Sequence, residues 1–183
     1  MHDTVLVDID TQIDFLLPAG SLYVSGAERI IPELARLHSW AAANGVPVIS
    51  SADAHTDQDV EFQTWPPHCI AGTLGQKKVA ETLLPGAVTI PNRKGDLPAG
   101  WQNAPQVTVE KQTVNLFDTV TIGRVLEGWP ARRYLLCGVV TEICVLNAAL
   151  GLLRAGHKIE LETAAMAALD PEAGRRAIEK MRS

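Results

Sequence analysis

Residues 134–155 read Y-L-L-C-G-V-V-T-E-I-C-V-L-N-A-A-L-G-L-L-R-A, and this stretch decides the fold. The apolar run Tyr134–Cys137 predicts a buried strand, which Gly138 breaks. Thr141 and Glu142 then open an apolar segment with helical spacing that closes at Gly156. Cys144 therefore falls at a strand-to-helix turn, at the carboxyl edge of an α/β sheet, where ligands bind. A helix N-terminus stabilises a thiolate there through its free N–H groups and its dipole. Taken alone, the residue reads more readily as a small buried hydrophobe.

Outward from this stretch, strands and helices alternate. Thr4–Asp10 and Val46–Ser51 predict strands, as do Ala87–Ile90, Gln106–Lys111, Arg133–Cys137 and His157–Leu161. Helical spacing covers Ala27–Asn44, Lys77–Leu84, Asp118–Glu127 and a last helix running from Asp170-Pro171 towards Met181. Such alternation implies a three-layer α/β/α architecture with a mostly parallel central sheet. Residues 91–105, rich in Pro, Gly and Asn, read as a surface excursion and not a linker, so residues 1–183 are expected to form one domain.

Composition agrees with a small-molecule protein. The 183 residues are 46% hydrophobic and 20% charged, enough to bury a sizeable core. Sixteen basic against 21 acidic residues give a net charge of −5 without a long basic run, so neither nucleic acid nor an anionic membrane is an expected partner. Asp3, Asp8 and Asp10 interrupt any leader-like apolar start, and three cysteines without paired spacing suit a reducing compartment, so a cytoplasmic location is expected. Neither phosphate-cradling glycine pattern occurs.

Several chemistry-bearing residues fall at predicted strand ends. Asp10 ends the first strand and suits a base, although Asp8 and Asp14 compete for that role on composition alone. Asp53 and His55 follow the second strand, and the irregular segment 56–75 contains Glu61, Trp65, His68 and Cys69. Asp53, His55 and His68 offer ligands for one divalent metal, with zinc, iron or manganese suited to imidazole and carboxylate. Lys111 ends another strand, where it can hold a thiolate and orient an acid, or be an ordinary surface lysine.

Four separated segments together resemble the isochorismatase-like cysteine hydrolases, and within them the nicotinamidases. They are D-T-Q-I-D-F at Asp10–Phe15 with G-S-L at Gly20–Leu22, D-A-H and W-P-P-H-C between Asp53 and Cys69, V-E-K at Val109–Lys111, and G-V-V-T-E-I-C at Gly138–Cys144. The resemblance implies a triad of Asp10 as acid and base, Lys111 as supporting cation and Cys144 as nucleophile, forming a thioester from an amide. It selects Asp10 over Asp8, because Asp10 precedes Q-x-D-F. It also implies a cis peptide between Val139 and Val140, with the Val140 and Cys144 N–H groups facing the oxyanion.

The same resemblance implies a metal on Asp53, His55 and His68 whose open positions hold a pyridine nitrogen and water. No third histidine follows His55; Glu61 stands at the corresponding distance as a possible fourth ligand, direct or through water. Phe15, Leu22, Trp65 and Val140 fall where the family packs the substrate, whereas Ile143 replaces a polar residue and Phe117 stands without a tyrosine. The implied protein is a homo-oligomeric amidohydrolase with a place in NAD salvage. Alternatives are a metal-free hydrolase of carbamoyl or aliphatic amides and a non-catalytic binding module. A cysteine phosphatase is excluded, since its C-x5-R loop requires Arg where Leu150 stands.

Overall fold

The computed structural model describes residues 1–182; Ser183, the last residue of the expected domain, lies outside the described residues. Six strands form one sheet: β1 (His2–Ile9), β2 (Val48–Asp53), β3 (Val88–Ile90), β4 (Gln106–Lys111), β5 (Ala131–Val139) and β6 (Ile159–Ala167). Their spatial order is β3-β4-β2-β1-β5-β6, and every described pairing is parallel. The helices are α1 (Ile13–Leu16), α2 (Ile31–Asn44), α3 (Ile122–Gly128), α4 (Leu146–Arg154) and α5 (Pro171–Arg182). None is long and apolar enough to cross a membrane.

Alternation along β1 divides the core in two. Val5, Val7 and Ile9 join one apolar cluster with Val125 of α3, Leu152 of α4 and Ala177 of α5. Leu6 joins the other with Leu34, Leu37 and Ala41 of α2. Because both faces are covered, β2 is buried along its whole length and β1 from Thr4 onward. The chain leaves β1 towards β2 on one side and leaves β5 towards β6 on the other. Their carboxyl ends therefore flank the point where strand order reverses, the usual place for a crevice.

Local structure departs from periodicity in five places. Residues 77–79 do not begin a helix, because Lys77 O accepts from Ile13 N–H (2.8 Å) and Val79 N–H donates to Thr11 O (3.0 Å); only a 3-10 turn at Ala80–Thr82 follows. The helix expected from Asp118 starts at Ile122, since Leu116–Asp118 is a separate 3-10 turn capped by the Asn115 side chain. Residues 141–145 form a π-helical turn before α4, so Cys144 sits in that turn and not at a simple α-helix start. The last strand extends beyond Leu161 to Ala167. Trp101, inside the 91–105 excursion, is buried against Trp129 with ring centroids 5.4 Å apart.

Gly138 does not end β5; the strand passes through it with a register irregularity between Leu136 and Gly138. Its φ of 110° lies in the region that favours glycine, and a Cβ there would overlap the Ile9 carbonyl oxygen. Gly138→Ala is thus expected to cost about 3 kcal/mol or more in urea unfolding, from combined strain and backbone displacement. A loss below about 1 kcal/mol would contradict this account of the β1–β5 contact.

Candidate active site

Four strand ends converge. Asp53 and Lys111 are the last residues of β2 and β4 and are register partners, so their side chains leave the sheet on the same side. Asp10 follows β1 with φ of 49°, a left-handed conformation uncommon outside glycine, which turns the chain out of the strand. After β5 comes the cis Val139–Val140 peptide, which matches the expectation, and then the π turn carrying Cys144.

Lys111 is fully buried at the centre of this convergence. Its ammonium lies 2.8 Å from Asp10 Oδ2, hydrogen-bonds Asp53 Oδ1, and sits 4.0 Å from Cys144 Sγ. Asp10 Oδ1 accepts from Ser51 Oγ at 2.7 Å. Burial opposes the charge of Lys111, but Asp10 and Asp53 outweigh it and hold its pKa well above the usual value. Burial raises Asp10 above the ordinary carboxylate range; Lys111 opposes this and Asp53 adds to it. Asp53 behaves oppositely, since Lys111 and the two histidines overcome its burial and keep it ionised.

Cys144 differs from the thiolate that a helix N-terminus and a lysine lead one to expect. Burial pushes its thiol well above the normal range, Lys111 only partly offsets this, and the nearby Asp10 and Asp53 charges reinforce it. Burial thus favours the neutral thiol over the thiolate, and the neighbouring Asp10 carboxylate adds to that preference.

Asp53, His55 and His68 offer ligand atoms that all lie within 4.8 Å of one another, and all three are buried. His68 Nδ1–H donates to Pro66 O at 2.7 Å, so the neutral ring carries its lone pair at Nε2, 3.7 Å from Asp53 Oδ2. His55 Nε2 lies 3.8 Å from the same oxygen and has no hydrogen-bond partner in a buried setting. Two imidazole nitrogens and a carboxylate this close together suit a divalent transition metal. Glu61 lies alongside, on the 3-10 turn Val60–Gln63, but outside that three-residue group; burial and then the Asp53 charge raise its pKa.

The Cys144 thiol, Asp53 and His68 open on one small cleft, whose walls include Phe15, Leu22, Glu61, Trp65 and Val140. Phe15 also packs on His68, with ring centroids 5.3 Å apart. Asp14 and Gln12 hold these pieces together. Asp14 accepts from Ser21 N–H (2.9 Å) and Cys69 N–H (2.7 Å), tying the loops of Leu22 and His68 to α1. The Gln12 side chain accepts from Asp53 N–H (2.7 Å) and donates to Asp53 O (2.8 Å) and Gln76 O (2.7 Å).

Of the three competing acids, then, only Asp10 reaches Lys111. Asp14 serves backbone amides, and Asp8 lies in a separate buried cluster with Lys78 and His38. Two participants escape the motifs. Asp59 Oδ2 stands 3.1 Å from His55 Nδ1, and the Phe62 ring packs on both His55 (5.2 Å) and His68 (5.7 Å). Their one sequence signal is position, within an irregular segment already marked by His55 and His68. Val114, Ile143 and Leu169 complete the cleft from distant parts of the chain.

Comparison with known proteins identifies the family and the fold. The uncharacterized isochorismatase family protein PncA of Bacillus subtilis (strain 168) is 29% identical over 172 residues, covering 91% of this chain and 87% of its own. The zinc complex of the pyrazinamidase of Pyrococcus horikoshii superposes with a TM-score of 0.81 at 27% identity, over 98% of this chain and 94% of that one. The pyrazinamidase/nicotinamidase of Streptococcus mutans shares the fold, with a TM-score of 0.82 at 24% identity over 98% and 96%. A family model described as the isochorismatase domain matches residues 4–96 and 98–183, and the chain belongs to that family.

Proposed function

We propose that this chain is a metal-assisted nicotinamidase that converts nicotinamide to nicotinate and ammonia. The observation that carries the reading is that Cys144, Asp53 and His68 line one small, largely apolar cleft, with Lys111 and Asp10 behind the thiol and His55 beside Asp53 and His68. Similarity to the Pyrococcus horikoshii pyrazinamidase solved with zinc supports it. Phe15, Leu22 and Trp65 offer a flat aromatic ring more contact than they offer a flexible carbamoyl chain.

In the proposed reaction Asp10 takes the proton from the Cys144 thiol as Sγ attacks the carboxamide carbon. A raised carboxylate pKa suits that exchange, bringing acid and thiol closer in proton affinity. Lys111 fixes the Asp10 carboxylate by its ion pair and lowers the cost of negative charge on sulfur. The backbone N–H groups of Val140 and Cys144 are assigned to the developing oxyanion. Asp10 then returns the proton to the leaving nitrogen, so ammonia departs and a thioester remains. Water adds to the thioester with Asp10 again as base, and the proton goes back to Cys144 as nicotinate forms.

Asp53, His55 and His68 would hold the metal, with Glu61 as a further ligand directly or through water. When bound, the metal would supply a positive charge and an open position for the pyridine nitrogen. Ammonia release from nicotinamide tests the assignment. Chelation is expected to raise KM at least about tenfold, with recovery on adding zinc, iron or manganese. Metal content should fall further in His68→Ala than in Glu61→Gln. Full activity in metal-free protein would favour a metal-independent amidase.

Lys111→Met removes the one cation between two buried carboxylates. It is expected to cost about 3–5 kcal/mol in urea unfolding at pH 7, alongside loss of turnover. Because the folded pKa of Lys111 is raised, its contribution is complete below about pH 10 and is lost only as pH rises through the folded value. The deficit of the variant should therefore be constant from neutral pH to about pH 9. A deficit that disappears by pH 9 would contradict the ion-pair account.

A further inference from the structure

Beneath the turn that carries Asp10 lies a second buried ionic group, outside the cleft. Asp8 is fully buried, and its Oδ2 is 2.8 Å from Lys78 Nζ, 3.0 Å from Ser50 Oγ, 3.1 Å from Thr11 Oγ1 and 3.2 Å from His38 Nε2. Lys78 Nζ also donates to Thr11 Oγ1 at 2.7 Å, and Thr11 Oγ1 lies 2.9 Å from Thr82 Oγ1. None of these groups lines the cleft.

The position of this group relative to Asp10 is what gives it a role. In an unbroken strand Asp8 and Asp10 point to the same side. The left-handed φ of Asp10 sends its carboxylate to Lys111 and folds the chain back, so that the Thr11 hydroxyl meets Asp8 three residues earlier. If Asp10 relaxed to an extended conformation, Thr11 would leave Asp8, and Lys78 would lose an acceptor. From outside, Lys77 O and Val79 N–H grip the same turn through Ile13 and Thr11. A buried ion pair contributes little net stability compared with apolar residues of equal volume, but it strongly resists arrangements that leave one partner alone. Such a device selects a conformation more than it adds stability.

We propose that Asp8, Thr11 and Lys78 are positioning residues that hold Asp10 in its left-handed conformation, and so keep its carboxylate on Lys111 and Cys144. The inference rests on the reading of Asp10 as the proton carrier.

Thr11→Val keeps the side-chain shape and deletes the hydroxyl, while Thr11→Ser keeps the hydroxyl. Two readouts apply: kcat and KM for nicotinamide, and, independently of that substrate, the rate at which iodoacetamide alkylates Cys144, whose buried thiol needs a nearby proton acceptor. Thr11→Val should lower kcat by about tenfold or more with KM within about twofold, and should slow alkylation; Thr11→Ser should restore both to within about threefold of the parent. Ser50→Ala removes a different hydrogen bond from the same carboxylate and should leave kcat within about twofold. A merely structural role would lower the melting temperature of Thr11→Val without this split between kcat and KM. Should Thr11→Val not fold, Asp8→Asn, equal in size, is expected to lower kcat by about threefold or more at unchanged KM, and an unaltered kcat overturns the proposal. Asp10→Asn is measured in parallel. If it abolishes turnover and slows alkylation while Thr11→Val does neither, the positioning role alone falls. If Asp10→Asn retains both, the role of Asp10 falls with it.

Discussion

A buried lysine between two carboxylates is the constraint on which this molecule depends. Lys111 sits in full burial with Asp10 on one side and Asp53 on the other, so three charges share a region from which water is excluded. Removing Lys111 would leave two buried carboxylates side by side without a counter-ion. Asp53 faces two ways: one oxygen meets Lys111, and the other faces His55 and His68. That carboxylate links the proposed proton machinery to the proposed metal group, and a change in either is felt by the other.

The fold supplies this arrangement from strand ends. Parallel strands deliver their carboxyl termini to a single edge, and the reversal of strand order beside β1 opens the crevice there. Three side chains then tie the loops to the edge. Gln12 brackets Asp53 through its backbone, Asp14 binds the amides of Ser21 and Cys69, and Ser51 holds the far oxygen of Asp10. None of these needs to touch a substrate, yet each limits where a group that does can lie. In the proposed reaction this rigidity matters because a protonated thiol and a raised carboxylate exchange a proton only at short range.

Much of this was legible in the sequence, and the reasons for the rest are local. Alternating apolar segments reveal a parallel sheet, because strands buried on both faces are mostly apolar, as Val5–Val7 is. The separated motifs bring out Asp10, Asp53, His55, His68, Lys111 and Cys144, and the structure brings all six together. Periodicity fails where tertiary contacts overrule it. Residues 77–79 have helical spacing but pair with Thr11–Ile13, and Gly138 reads as a strand breaker but is the residue that lets β5 pass close to Ile9. Composition alone does not separate Asp8 from Asp10, since what distinguishes them is the left-handed turn at Asp10 and the different buried partners each meets. Nor does sequence reveal that burial outweighs Lys111 at Cys144 and leaves a thiol where a thiolate is expected. Asp59 and Phe62 are invisible to motifs because they act on the histidines from within an irregular segment.

Covalent chemistry at Cys144 is the central claim, and it is open to direct observation. Mixing the protein with excess nicotinamide, quenching in acid within the first turnovers and mapping the peptides by mass spectrometry should find a nicotinoyl thioester on Cys144, with Cys69 and Cys137 unmodified because both are buried away from the cleft. Turnover of nicotinamide with Cys144 free of acyl adduct at every quench time, and undiminished in Cys144→Ala, would contradict it.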